Sequence, residues 1–443
     1  MFRIAAGLSV MRDTSVYRTL RYPEAVYWAV RCTALLLLTS ALHAYSVLTH
    51  EAIIDTAWDG GIKPLLLKRY PQATKDDLLE AHAHAYGGCI IQDMGYYPFG
   101  SKFFSDLVHY VRTGEFVENL VKEAQTLDEL AFALGALAHF AADTQGHSIA
   151  VNQSVPIEYP KLRRKFGQTV TYADDKTSHL RVEFGFDVLQ VARGSYAPQA
   201  YHDFIGFEVS KEVLERAFHD TYSLELHDVF GDLDLALGTY RKAVSGVIPE
   251  LTRVAWNLKK DELVKATPSM TRRKFVYNIS KASYRKEWHG KYKGPGLGAR
   301  ILAFFIRILP KIGPLKALSF KPPTKQTATL FELSFNRALD EYRGLLTETS
   351  AGRLKLDDRD FDTGKPTRPG EYRLADNAYA TLVQKLAEKP PAEIDAALLA
   401  NVLEFYRDPQ APNAVKKDPK EWRKVMSAVD KLRAIGGPAK ASD

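Results

Sequence analysis

The chain has 443 residues, of which 46% are hydrophobic and 26% charged, and a formal net charge of +7. That length allows one large domain or two, and the composition excludes a disordered or fibrous chain. With only two cysteines, Cys32 and Cys89, neither a disulfide framework nor a thiolate zinc site is available, so any metal centre must use His, Asp, Glu and backbone groups.

The first element in chain order reads as an export signal. Arg18, Arg21 and Arg31 precede "CTALLLLTSALHA", residues 32–44, which gives a basic region, a short apolar run and a small residue at its end. The run is too short for a membrane-spanning helix, although an anchor left uncut is the competing reading. Residues 1–44 are therefore read as a signal peptide removed near Ala44. The mature protein would be periplasmic, secreted or surface-held, with Tyr45 at its N-terminus.

From Tyr45 to about residue 250, helical periodicity dominates and strand alternation is nearly absent, so the region reads as an all-α domain. "TLDELAFALGALAHFAAD" opens on Thr126 with Glu129 three residues later, the pattern of a capping box. "TSHLRVEFGFDVLQVA", "SKEVLERAFHDTY" and "GDLDLALGTYRKAVSGVIPELTRVAWNL" show the same periodicity. Residues 251–325 differ, with 18 Lys or Arg against three acids. Within them, "GLGARILAFFIRILPKIGPLKALSFKPP", residues 296–323, sets cations into an apolar run broken by Pro310 and Pro314. This suits a segment lying on an anionic membrane surface, with Leu302, Phe304, Phe305, Ile308 and Leu309 inserted and Arg300, Arg307, Lys311 and Lys316 near the headgroups. A core helix with a solvated basic edge is the plainer alternative. Residues 326–443 hold further helices, "LFELSFNRALDEYRGLL" and "DAALLANVLEFY", around a loop, "DDRDFDTGKPTRPGEYRL".

One stretch carries chemistry. "ALAHFAADTQGH", residues 136–147, sets His139, Asp143 and His147 four residues apart in an alanine-rich helix. A step of four advances a side chain by about 40° beyond a full turn, so the three form one stripe. Three desolvated polar groups on one stripe are costly unless something satisfies them together, and a metal does so; imidazole and carboxylate are ordinary zinc ligands. "TSHLRVEF" adds His179 and Glu183 at i, i+4, "AYSVLTHEAI" adds His50 five residues after Tyr45, and "CIIQDMGYYPFGSKFFSDLVHY" adds Asp93 and His109. Each of these is weak alone. His82 and His84 read as surface neighbours outside this group.

The order of these residues resembles the superfamily of bacterial zinc-dependent phospholipases C and fungal single-strand nucleases, which bind three zinc ions. The compact spacing around "HFAAD" and the "QDMGYYP" stretch look most like the branch containing glycosylphosphatidylinositol phospholipase D. The resemblance covers roughly residues 45–190 and implies a helical phospholipase C-like domain with a helical C-terminal extension. It implies one zinc on Asp93, His109 and His139, a second on His147, His179 and Glu183, and a third on His50 with the amine and carbonyl of Tyr45, Asp143 bridging the first and third. Tyr45 stands where the family usually has Trp, but the ligand atoms are backbone. The segment between His147 and His179 is longer than in the secreted phospholipases C and carries "KLRRKF", which could rim the site or meet a phosphate. Zinc in such a set lowers the pKa of bound water towards about 7, the chemistry of phosphodiester hydrolysis, with Asp93 placed to orient the attacking water. The substrate so implied is a phospholipid, with C and D cleavage both open and no protein partner predicted. The alternatives are a single-strand nuclease using the basic stretch with Phe275, Tyr277, Tyr284 and Trp288, and a non-catalytic lipid-binding protein.

Because the Tyr45 amine is an expected ligand, a chain carrying extra residues before Tyr45 should lose one zinc ion and much of its rate. Metal analysis and turnover of processed and extended forms check this; equal values would exclude an N-terminal ligand.

Overall fold

The computed structural model describes residues 47–192, 206–244, 248 and 319–436. These all belong to one compact unit within Leu38–Asp443. The predicted signal peptide, Tyr45 and the membrane-contact residues from Arg300 to Lys311 lie outside the described residues.

The described residues form helices and no strand; an isolated bridge joins Arg359 to Pro366. The helices that matter for the site are α1 (Val47–Ala57), α2 (Lys75–Gly88), α3 (Lys102–Tyr110), α4 (Thr113–Glu123), α5 (Leu127–Gln145), α6 (Lys176–Ala192), α7 (Lys211–Tyr222), α8 (Lys325–Ser350) and α9 (Arg373–Leu386). Each helix expected within the described residues is present. The stretch from Gly231 is described as a helix over Leu233–Lys242, and "DAALLANVLEFY" gives Ala396–Phe405. No described helix is long and apolar enough to cross a membrane.

Helix α5 is the axis. Its residues from Glu129 to Thr144 are buried without a break, as a helix apolar on all sides requires. Thr126 caps it by accepting the Glu129 amide at 3.2 Å. The reciprocal half of the capping box is displaced by one residue: Glu129 accepts from the Gln125 amide at 2.7 Å. At the other end, Gly146–Val151 is a π turn. His147 lies in this turn rather than in α5, and its Nε2 stands 3.6 Å from Asp143 Oδ2, on the side the sequence spacing implies. π turns of this kind are common at functional sites.

Glycines let α2 lie against α5. A Cβ on Gly88 would stand 1.9 Å from the Phe132 carbonyl oxygen, and one on Gly135 would stand 2.2 Å from that of Ala85. On another side of α5 lies α8, whose Phe331, Phe335, Leu339, Tyr342 and Leu346 recur at three- and four-residue steps and are buried. The Tyr342 hydroxyl donates to the Leu134 carbonyl at 2.9 Å. The C-terminal helices thus share one apolar core with the helices that precede them.

Gly135→Val should destabilise the fold by about 3 kcal/mol or more, since backbone atoms must move to admit the side chain. Gly238→Ala, where a Cβ meets nothing within 4 Å, should instead stabilise it by about 0.5–1 kcal/mol. Denaturant titration of the two variants checks both signs.

Candidate metal centre

Six elements converge on one buried point. His50 comes from α1, Asp93 from the 3-10 turn Ile91–Tyr96, and His109 from the last turn of α3. His139 and Asp143 come from α5, His147 from the π turn, and His179 with Glu183 from α6. All eight side chains are buried. The start of α1 is held in place by Asp187, four residues after Glu183 on α6. Its carboxylate accepts from the Leu48 amide at 3.0 Å and from the Thr49 hydroxyl at 2.7 Å.

Asp143 is the hub. Its Oδ1 lies 3.2 Å from His50 Nε2. Its Oδ2 lies 3.1 Å from His139 Nε2, 3.7 Å from His109 Nε2 and 3.6 Å from His147 Nε2. The two oxygens therefore face different imidazoles, as a carboxylate shared by two ions must. His109 Nε2 also lies 3.3 Å from Asp93 Oδ1. On the far side, Glu183 Oε1 is 2.7 Å from His179 Nδ1 and 3.9 Å from His147 Nδ1. The rings of His50 and His139 stack at 4.5 Å, and those of His147 and His179 at 5.0 Å.

The outward-facing nitrogens fix which way the lone pairs point. His109 Nδ1 is 2.8 Å from the Ser105 carbonyl, and His139 Nδ1 is 3.0 Å from that of Cys89. A carbonyl only accepts, so both Nδ1 atoms carry the proton and both Nε2 lone pairs face inward, towards carboxylates. Acceptor then faces acceptor. His139 Nε2, Asp93 Oδ1, both Asp143 oxygens, His147 Nδ1, His179 Nδ1 and Glu183 Oε1 are all buried without an aligned hydrogen bond. Native folds leave few such atoms, and seven in one place call for a cation. Two ligands about 2.1 Å from a tetrahedral zinc lie about 3.4 Å apart, and most of the separations above straddle that value. Three groups have ligand atoms mutually within 4.8 Å: His50–His139–Asp143, Asp93–His109–His139 and His147–His179–Glu183. The residues present therefore fit zinc; two of the groups have the residues of the first and second implied sets, while the third joins His139 to His50 and Asp143.

Protonation follows from burial and from Asp143. Desolvation pushes the Asp93 and Glu183 carboxyls well above the usual range and His109 down. Desolvation and the neighbouring His147 take His179 down to about 3. Asp143 behaves oppositely: burial works against its charge, but His139 and His147 hold it well below the usual range. His147, also opposed by burial, is pushed up to about 10 by Asp143. A metal ion would displace the His147 proton, so zinc uptake should strengthen as pH rises.

Two expectations need correction or completion. His82 is not a surface residue: its ring stacks on Trp58 at 3.8 Å, and its Nε2 meets Asp55 at 3.1 Å. His84, half-buried, joins Glu80 and Asp128 in a fourth grouping at the surface, where burial and the charges of Glu80 and Asp77 push Asp128 up to about 6. "KLRRKF" forms a short helix, Pro160–Phe166, with no buried residue. Asn152 and Phe361 touch the ligand candidates, and Asp362 bonds to Asn152; none was anticipated, since a lone Asn and a Phe in a loop give no periodic signal.

Residues 49–232 match the family model described as zinc-dependent phospholipase C. No curated protein and no solved structure matches the chain.

Asp143→Asn should lower zinc content by more than half, because it weakens a shared ligand facing four imidazoles, and should abolish hydrolysis. Elemental analysis of purified wild type and variant measures it; near-normal zinc and turnover in the variant would exclude a bridging role.

Proposed function

We propose, from the premise that residues 49–232 belong to the zinc-dependent phospholipase C family, that this zinc hydrolase is an exported enzyme cleaving membrane phospholipids on the glycerol side of phosphorus. The observation that carries the metal chemistry is the convergence of four imidazoles on the Asp143 carboxylate, with the His109 and His139 lone pairs turned inward. Zinc bound there supplies Lewis acidity, which lowers the pKa of water and offsets the charge that develops on the phosphoryl oxygens. The protein's own residues do the rest. Asp143 contributes a fixed negative charge that keeps the cationic centre assembled. Asp93, its carboxyl raised by burial, is the group we assign to orient the attacking water and receive its proton. The Ser105 and Cys89 carbonyls hold His109 and His139 in the liganding tautomer. Three zinc ions and the set Tyr45, His50, Asp93, His109, His139, Asp143, His147, His179 and Glu183 remain our assignment for the loaded enzyme.

Lipid is favoured over nucleic acid by the family to which the catalytic segment belongs and by the apolar, cation-studded residues 296–323. Each cation near an anionic bilayer contributes about 1 kcal/mol, screened over about 8–10 Å at physiological salt. Apolar insertion is not screened in that way, so binding should weaken with salt without vanishing.

Product analysis on phosphatidylcholine vesicles tests the cleavage mode: diacylglycerol with a phosphorylated headgroup is expected, whereas phosphatidate with free headgroup would mean D-type cleavage. Digestion of single-stranded DNA with inert vesicles would establish the nuclease instead. Phe304 and Phe305 replaced together by Ser should reduce vesicle binding severalfold and leave a short soluble phosphodiester hydrolysed at the wild-type rate. Unchanged vesicle binding would remove this segment as the membrane contact.

A further inference from the structure

The loop between α8 and α9, residues 351–372, begins well past the last residue of the family match, yet it reaches the metal centre at two separate points. We infer that this loop and Asn152 position the metal ligands, so that zinc affinity in this protein depends on its C-terminal region. The inference rests on the metal reading above.

The first point is the His147–His179–Glu183 group. The Asp362 carbonyl accepts a hydrogen bond from Asn152 Nδ2 at 2.6 Å. With its amide nitrogen committed there, Asn152 turns Oδ1 towards His179 Nε2, 2.9 Å away. An amide oxygen only accepts, so Nε2 carries the proton and Nδ1 keeps its lone pair for the metal side, towards Glu183. A backbone carbonyl 183 positions further along the chain thereby sets the tautomer of His179, with Asn152 as the relay.

The second point is the Asp93–His109–His139 group. Phe361 is fully buried, and its amide donates to the His109 carbonyl at 3.1 Å. Its ring stands 5.2 Å from that of His109 and 5.9 Å from that of His139. Phe361 thus forms an apolar wall that limits both imidazoles to one orientation and keeps water from their outer faces.

The loop is itself pinned beside the centre. The Asp362 carboxylate accepts from the hydroxyls of Tyr110 at 2.9 Å and Tyr372 at 2.5 Å. Tyr110 directly follows His109, and Tyr372 in turn accepts from the Ala173 amide at 3.0 Å, just before α6. Thr113 and Arg359 exchange two hydrogen bonds, at 2.8 and 2.9 Å. Gly364, with φ of +70°, lies so close to the end of α5 that a Cβ would come within 2.7 Å of the Thr144 carbonyl oxygen. No residue of this loop is a proposed ligand; the role is positional.

The test is zinc affinity of the full-length chain, measured by competition with a chromogenic chelator, together with the visible spectrum of the cobalt-substituted protein. Asn152→Leu and Phe361→Ala should each weaken zinc binding ten- to a hundredfold, the range known for residues behind metal ligands. Asn152→Asp keeps an acceptor for His179 but loses the donor to the Asp362 carbonyl, so it should recover only part of what Asn152→Leu loses. Phe405→Ala is the control: it truncates another stacked phenylalanine of the C-terminal region, 3.7 Å from Tyr379 and remote from the ligands. It should leave zinc affinity and the cobalt spectrum unchanged whatever its effect on melting temperature. Wild-type affinity in both Asn152→Leu and Phe361→Ala would overturn the inference, as would equal losses in Phe361→Ala and Phe405→Ala. Should Phe361→Ala fail to fold, the two Asn152 variants decide alone. A wild-type chain that takes up no zinc would instead bring down the metal reading itself.

Discussion

Asp143 is the constraint around which the rest is arranged. A fully buried carboxylate is unfavourable by several kcal/mol unless charge or hydrogen bonding compensates it. Here no backbone amide does so; four imidazole edges surround it, arriving from α1, α3, α5 and the π turn, and the charge that answers it is the cation such a set would hold. Each of those elements must therefore end at a fixed distance from one atom pair. The packing around α5 meets that demand. Glycines bring α2 against it, and Asp187 ties the first turn of α1 to α6.

The same requirement explains the irregular backbone. His147 follows Asp143 by four residues, on the opposite side from His139. The π turn lets its Nε2 face Asp143 while its Nδ1 faces Glu183. One imidazole then stands between two ligand groups. Its protonation records that position: Asp143 raises its affinity for a proton, and a metal ion answers the same negative charge.

How much of this was legible in the sequence depended on separation along the chain. His139 with Asp143, and His179 with Glu183, are i, i+4 pairs, and helical geometry alone places each pair on one face. His50, Asp93 and His109 lie on other elements and show no shared periodicity; only their order, compared with a known family, grouped them. The environment of His82 was misread because the residues that bury it, Trp58 and Asp55, lie on the preceding elements. Asn152, Phe361 and Asp362 were out of reach altogether, since a loop-to-helix contact across some two hundred positions leaves no local pattern. The helices themselves were plain, because an apolar stripe with a capping residue is a local signal.

The pairing of α5 with α8 has a consequence for the life history of the molecule. Tyr342 bonds to Leu134 across 208 positions, and the apolar face of α8 covers a helix made long before it. During synthesis, the middle of the chain must wait with its most apolar helix incompletely covered. Contacts of such sequence separation form slowly, because loop-closure entropy is lost before they contribute. An incompletely covered helix of this kind is a target for chaperones and for self-association. Assembly of the fold is therefore a late, whole-chain event, and the nascent segment bearing His139 and Asp143 cannot complete its core until the C-terminal helices have emerged.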